Sequence, residues 1–289
     1  MTKHLLAAAA LIALSVPTLA QEEAAPAPSP NEIIAAAPDS AWIAIEPEDL
    51  VVMRLAPDRD GNERTVVMQL MPPPFSQGWI ENIRTLARAE YWDGSSINRV
   101  QDNYVVQWGQ PDPGTGGTEK PVPEGLNVVP ESEYVATGLL SIPDPRGRPR
   151  INYTLAATMM RIAMIAANGG VKLPDSFRDA LESGSDEIPD FPTPTLGDPY
   201  AELTSIVNGW PIAGALGGEA GNTFWPVHCY GMVGVGRNLS PDSGDGSQLY
   251  TVIGHAPRHL DRNIALVGRI VSGIEHLSSL PRGTGGLGV

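Results

Sequence analysis

Cysteine is nearly missing from this chain: Cys229 stands alone among 289 residues, so no internal disulfide and no cysteine-built metal cluster is available. Lysine is almost as scarce. Only three of the 19 basic residues are Lys, against 33 acidic ones, and the net charge of −14 gives a phosphate backbone nothing to grip. Nucleic-acid binding is therefore not expected. Long apolar runs are lacking too, since no stretch reaches the ~18 residues that a membrane helix needs. In excess are Gly and Pro, 31 and 28 residues scattered without a short period through a chain that is 42% hydrophobic. That combination excludes collagen and wholesale disorder and points to a loop-rich globular fold. Packing, not covalent staples, must hold it together.

The first twenty residues read as an export signal: Lys3 and His4, an apolar run from Leu5 to Leu14, then Ser-Val-Pro-Thr-Leu-Ala with Thr18 and Ala20 as the small residues a signal peptidase accepts. Cleavage is expected after Ala20, giving residues 1–20 as signal peptide and a secreted, periplasmic protein. Residues 21–40, rich in Ala, Pro and Glu, are expected to be a flexible linker.

Beyond the linker, Leu50 to Leu55 and Thr65 to Met71 are β-branched or apolar runs around Asp58-Arg59-Asp60-Gly61, the pattern of a hairpin. Ser76 is placed to cap a helix whose apolar residues Trp79, Ile80, Ile83, Leu86 and Ala87 recur at three to four. Strands are expected at Ile97 to Val100 and Asn103 to Trp108, and again at Tyr230 to Val235, Gln248 to Ile253 and Ile264 to Val271, before a short helix from Ser272 to Leu280. Between Pro113 and Trp225 strand alternation fades. That stretch predicts helices over Asn152 to Asn168, with Met159, Met160 and Met164 packing one face, and over Pro174 to Ser183. Its Gly214 to Gly221 run reads as loop, without the Gly-Lys-Ser/Thr of a phosphate-binding turn.

Three segments, in order, resemble the cyclophilin family of peptidyl-prolyl isomerases. Tyr91-Trp92-Asp93-Gly94 through Ile97-Asn98-Arg99-Val100 to Gln107-Trp108-Gly109 is similar to Y-Y-D-G-x-x-F-H-R-V-x-x-x-F-x-x-Q-G-G-D; Val235-Gly236-Arg237-Asn238 with Gly246-Ser247-Gln248-Leu249-Tyr250 is similar to M-A-R-A followed by G-S-Q-F-F; and His259-Leu260-Asp261 through Gly268 to Gly273 is similar to W-L-D-G-x-x-x-V-F-G-x-V-x-x-G. The resemblance implies a mainly β fold, a closed eight-stranded antiparallel barrel capped by two helices, occupying residues 41–289 and interrupted by a partly helical insertion at about 113–225. It implies peptidyl-prolyl cis-trans isomerisation, with Arg99 and Gln107 as the catalytic pair. Tyr104, Val105, Gly236, Arg237, Gln248, Tyr250, His259 and Leu260 would bind the substrate, a proline-containing unfolded or exported polypeptide. No cofactor and no metal are implied, and a monomer is expected.

The chain departs from the family pattern where it counts. Tyr104 and Tyr250 stand in place of Phe, Val105 of Met, His259 of Trp and Ile264 of His, so the proline pocket gains hydroxyl groups that need partners. A non-catalytic cyclophilin-like peptide-binding or chaperone module is the alternative. His255 and His259 sit four apart but flank Pro257, which argues against a helical metal site, and Cys229 beside His228 reads as a buried small hydrophobe instead of a nucleophile.

Overall fold

The computed structural model describes residues 27–109, 120–138, 198–218 and 221–289. The chain divides into a short unit ending at Ile43 and a large one from Ala44 to Val289. In the first, inside the stretch expected to be a linker, Pro30–Ala35 forms a six-residue helix, α1. Its cause is local: the Ser29 hydroxyl accepts from the Glu32 amide at 3.3 Å while the Glu32 carboxylate accepts from the Ser29 amide at 2.7 Å, a reciprocal cap with Pro30 in the first turn.

The large unit is built on an antiparallel sheet of seven strands, β1 (Leu50–Leu55), β2 (Arg64–Leu70), β3 (Ser96–Val100), β4 (Val105–Gly109), β9 (Met232–Val235), β10 (Gln248–Val252) and β11 (Leu266–Ser272), in the order β1-β2-β11-β9-β10-β4-β3. The β1–β2 turn is organised by the Asp58 carboxylate, which accepts from the amides of Asp60 and Asn62 at 2.8 and 2.9 Å. The expected closed eight-stranded barrel is corrected. Among the described residues no ladder joins β1 to β3, so the sheet is a half-barrel with two edges. Its curl nonetheless carries Met53 and Leu55 of β1 and Ile97 of β3 onto one inner cluster formed by Val66, Val100, Val106, Ile253 and Leu277.

Helix α2 (Gln77–Arg88) lays Trp79, Ile80, Ile83 and Leu86 into the core, all fully buried, as the three-to-four spacing predicts. Ser76 does not cap it. Its backbone is left-handed at φ 56° and its hydroxyl donates to the Leu266 carbonyl at 2.7 Å, so the residue ties the helix start to β11. The last helix, α3 (Glu275–Ser278), is one turn long and begins only after Gly273, which at φ 81° approaches the Thr65 carbonyl so closely that a Cβ would lie 2.1 Å from it.

A second antiparallel sheet, order β5-β8-β7-β6, is made by β5 (Ala136–Thr137), β6 (Leu203–Val207), β7 (Trp210–Gly218) and β8 (Gly221–Pro226). The loop reading of Gly214 to Gly221 is thus overturned. Glycine here serves close approach: a Cβ on Gly214 would meet the Phe224 ring at 2.8 Å. Val207, Trp210, Ile212 and Phe224 join Met68, Trp79, Val233 and Leu266 in one buried cluster, so this sheet shares its core with the first. The guanidinium of Arg269 on β11 sits 4.2 Å over the Trp210 ring and donates to the Gly209 carbonyl. The helices expected over Asn152 to Asn168 and Pro174 to Ser183 lie outside the described residues.

Candidate active site

Strand alternation places the site. Arg99 is opposite Gln107 across β3–β4, and Gln107 is opposite Tyr250 across β4–β10, so Arg99, Gln107, Val105, Tyr250 and Gln248 share one face. Val106, Trp108 and Leu249, the intervening residues, enter the cores on the other face. The shared face floors a cavity of about 740 Å³, whose wall includes Arg99, Tyr104, Val105, Gln107, Gln248 and Tyr250, with Leu260 and Ile264 at one side and Gly236 and Arg237 at another.

Within it the Arg99 guanidinium donates through Nη1 to the Gln107 amide oxygen at 3.4 Å, through Nη2 to Gln101 and through Nε to the Leu287 carbonyl at 2.7 Å. It also lies 5.5 Å from the Tyr104 ring centroid. Gln107 in turn donates from Nε2 to Gln248 Oε1 at 2.8 Å. Gly236 gives this amide pair room, because a Cβ there would stand 3.0 Å from the Gln248 Cβ and 3.3 Å from Gln107 Nε2. Burial draws the Arg99 pKa down from its ordinary value, an effect partly offset by Tyr104, and pushes the Tyr104 phenol up. Both stay in their usual forms at neutral pH, a cation beside a neutral phenol.

Arg237 is spent on structure, donating to the carbonyls of Asn263 (3.0 Å) and Asn238 (2.7 Å). His259 is outside the cavity wall and stacks on Tyr104 with ring centroids 6.2 Å apart. The sequence reading therefore names residues that the fold gathers into one cavity, with His259 one layer back. It misses Gln101 and the Leu287 carbonyl, which hold Arg99, and a buried chain of polar groups behind the pocket.

In that chain Asp198 accepts from Arg258 at 2.6 Å, Arg258 donates to Asp261 at 2.6 Å, and Asp261 Oδ1 accepts from both the His228 amide at 3.1 Å and His228 Nδ1 at 2.9 Å. His228 is 0% exposed. Burial pushes its pKa below the usual range, only partly offset by the bond to Asp261. For Asp261 burial acts upward, yet the bonds from His228 and Arg258 outweigh it and hold the carboxyl below its usual range.

Both shifts carry the same sign for stability. A buried neutral His excludes a proton that the unfolded chain takes up below about pH 6.5, and a depressed carboxylate loses its contribution once the unfolded form protonates, below about pH 3.9. The contribution of these two groups to stability is thus full above about pH 6.5 and erodes on acidification, first through His228. The melting temperature is expected to fall between about pH 8 and about pH 5.5, and to fall less over that interval in His228→Leu; equal pH dependence in both proteins would refute the assignment.

The fold is thus a mainly β half-barrel that sets a guanidinium and two linked amides beside a short apolar stretch of a largely polar cavity wall. The family model for cyclophilin type peptidyl-prolyl cis-trans isomerase/CLD matches residues 79–287, and the chain belongs to that family. Among solved structures it is similar to cyclophilin AquaCyp293 from Hirschia baltica at 20% identity, with a TM-score of 0.49, over 82% of this chain and 69% of that one. No curated protein matches it.

Proposed function

We propose that the protein is an exported peptidyl-prolyl cis-trans isomerase that assists the folding of other exported chains, with Arg99 stabilising the twisted prolyl imide. The observation that carries this reading is the line Arg99–Gln107–Gln248 running beside the apolar wall of Val105, Tyr250, Leu260 and Ile264 in one cavity. Rotation about an X–Pro bond must break amide resonance, a barrier of about 18–20 kcal/mol, and needs neither proton transfer nor a covalent intermediate. As resonance is lost the prolyl nitrogen becomes pyramidal and accepts a hydrogen bond that neither planar ground state can accept. A guanidinium beside it therefore binds the twisted state selectively, which is what lowers a barrier. Arg99 keeps N–H groups beyond the three its protein partners use, since the fork carries five. In the amide line Gln248 uses its oxygen, which leaves its nitrogen as the end donor for a substrate carbonyl.

The engagement of Arg99 by Leu287, Gln101 and Gln107 also favours a second reading, a module that holds proline segments without turning them over. Exchange spectroscopy on a proline-containing peptide separates the two. The isomerase reading expects cis–trans exchange far faster than the uncatalysed tens to hundreds of seconds. Peptide shifts without exchange would leave only the holding module. The export part is tested on protein recovered from the periplasm, whose first residue is expected to be Gln21; a retained Met1 would refute it.

A further inference from the structure

Tyr250 poses a problem for the apolar stretch of the cavity wall that it shares with Val105, Leu260 and Ile264, because a phenol brings a hydroxyl that must be satisfied wherever it is buried. The fold solves it across a neighbouring strand. Tyr250 is opposite Gly234 on β9, and a Cβ at that glycine would lie 2.3 Å from the phenol oxygen, so the missing side chain is the space the ring occupies. Passing over Gly234, the hydroxyl reaches His228 Nε2 at 2.8 Å, with the two rings near parallel at 8° and 6.2 Å apart. The direction of that bond follows from the next one. Asp261 is a carboxylate and accepts only, so His228 Nδ1 carries the ring proton, Nε2 is bare, and Tyr250 must donate.

We propose that His228 is a positioning residue for the proline pocket: by accepting the Tyr250 hydroxyl beyond Gly234, at the edge of the cavity-side face, it makes the phenol ring present only carbon to the substrate's proline ring. Asp261, itself held by Arg258, fixes the tautomer that lets His228 do so. The consequence is a pocket wall equivalent to an apolar aromatic, built from a residue that would otherwise place a polar group there. His228 follows β8 by two residues, so the second sheet contributes to the pocket without lining it. This inference rests on the isomerase reading for its substrate but not for its geometry.

The test is a double-mutant cycle on the mature protein: wild type, His228→Leu, Tyr250→Phe and the double variant, each assayed for kcat and KM on a proline peptide by exchange spectroscopy. His228→Leu leaves the hydroxyl unpartnered and is expected to lower kcat/KM about tenfold, mainly through KM. Tyr250→Phe sets its own baseline. Made on that baseline, His228→Leu is expected to change kcat/KM by less than about twofold, because no hydroxyl remains to position. The same loss in both backgrounds, or no loss in either, overturns the proposal. A measurement on the intact protein guards against a variant that fails to fold: long-range 1H–15N spectra should find His228 protonated at Nδ1 and bare at Nε2, and the reverse tautomer overturns it. If no protein catalyses exchange, the isomerase reading fails, and the cycle is read instead in peptide dissociation constants. Coupling there upholds the positioning role by itself, and absence of both exchange and binding removes the two together.

Discussion

Arg99→Ala is expected to lower kcat/KM for a proline peptide about a hundredfold, equivalent to ~2.7 kcal/mol of transition-state stabilisation, with most of the loss in kcat. The split follows from where the guanidinium acts. A planar X–Pro bond offers its nitrogen no lone pair, so the ground-state complex gains little from that donor and the twisted state gains most. Arg99→Lys keeps the charge but lacks the fork that spans Gln107, Gln101 and the Leu287 carbonyl while still facing the pocket, so it should recover only a small part of the activity. Far-ultraviolet circular dichroism and the melting temperature should change little in either variant, because the side chain lies at the cavity wall and not in a core cluster. Activity of Arg99→Ala within about twofold of wild type would remove Arg99 from the mechanism and with it the electrostatic account.

Asp261→Ala is expected to have the largest effect on stability. The carboxylate is the shared acceptor of the His228 amide, His228 Nδ1 and Arg258 Nε, and its side chain is 2% exposed beside a His at 0% and an Arg at 17%. Removing one member of a buried ionic group strands the others, a cost of ~3–5 kcal/mol. For a chain of this size that corresponds to a melting temperature lower by about 10 °C. Asp261→Asn keeps an acceptor toward His228 Nδ1 while losing the charge that holds Arg258, so its loss should be smaller. Calorimetry decides: a drop of less than about 2 °C in Asp261→Ala would mean that the group is not the anchor its geometry implies.

What was legible in the sequence was local or ordered along it. β1 runs over Leu50–Leu55 as its composition predicts, and α2 buries Trp79, Ile80, Ile83 and Leu86 as its spacing marks, leaving Ala87 half-buried. Arg99, Gln107, Gln248 and Tyr250 reach one cavity because alternation with a period of two puts alternate residues of neighbouring strands on a common face, and Tyr104 joins them from the turn just before β4. The rest depended on distant partners. Gly and Pro interrupt β7 and β8 so that their alternation is lost, and Gly214 makes sense only once Phe224 lies across it. Ser76 has the composition of a helix cap, but the Leu266 carbonyl, 190 residues away, competes for its hydroxyl. The pairing of His228 with Asp261 spans 33 residues with no repeat or spacing rule to announce it. In the same way, closure of the barrel was carried by resemblance alone, and the seven-stranded sheet leaves β1 and β3 as edges.

The strand order also governs how the protein acquires its own structure. β2 is flanked by β11, with Leu70 opposite Gly268, and β4 by β10, with Gln107 opposite Tyr250. During synthesis the first four strands therefore leave the ribosome long before the partners that complete the sheet, and the loops to be closed are well over a hundred residues long. Entropy of closure must be met before those ladders return any stabilisation, so folding is slow for the chain's size and waits for β9 to β11. Until then the edges of β2 and β4 are open to any other extended chain. A protein proposed to shorten the folding time of its neighbours thus has, by its topology, a sheet that only its last strands complete.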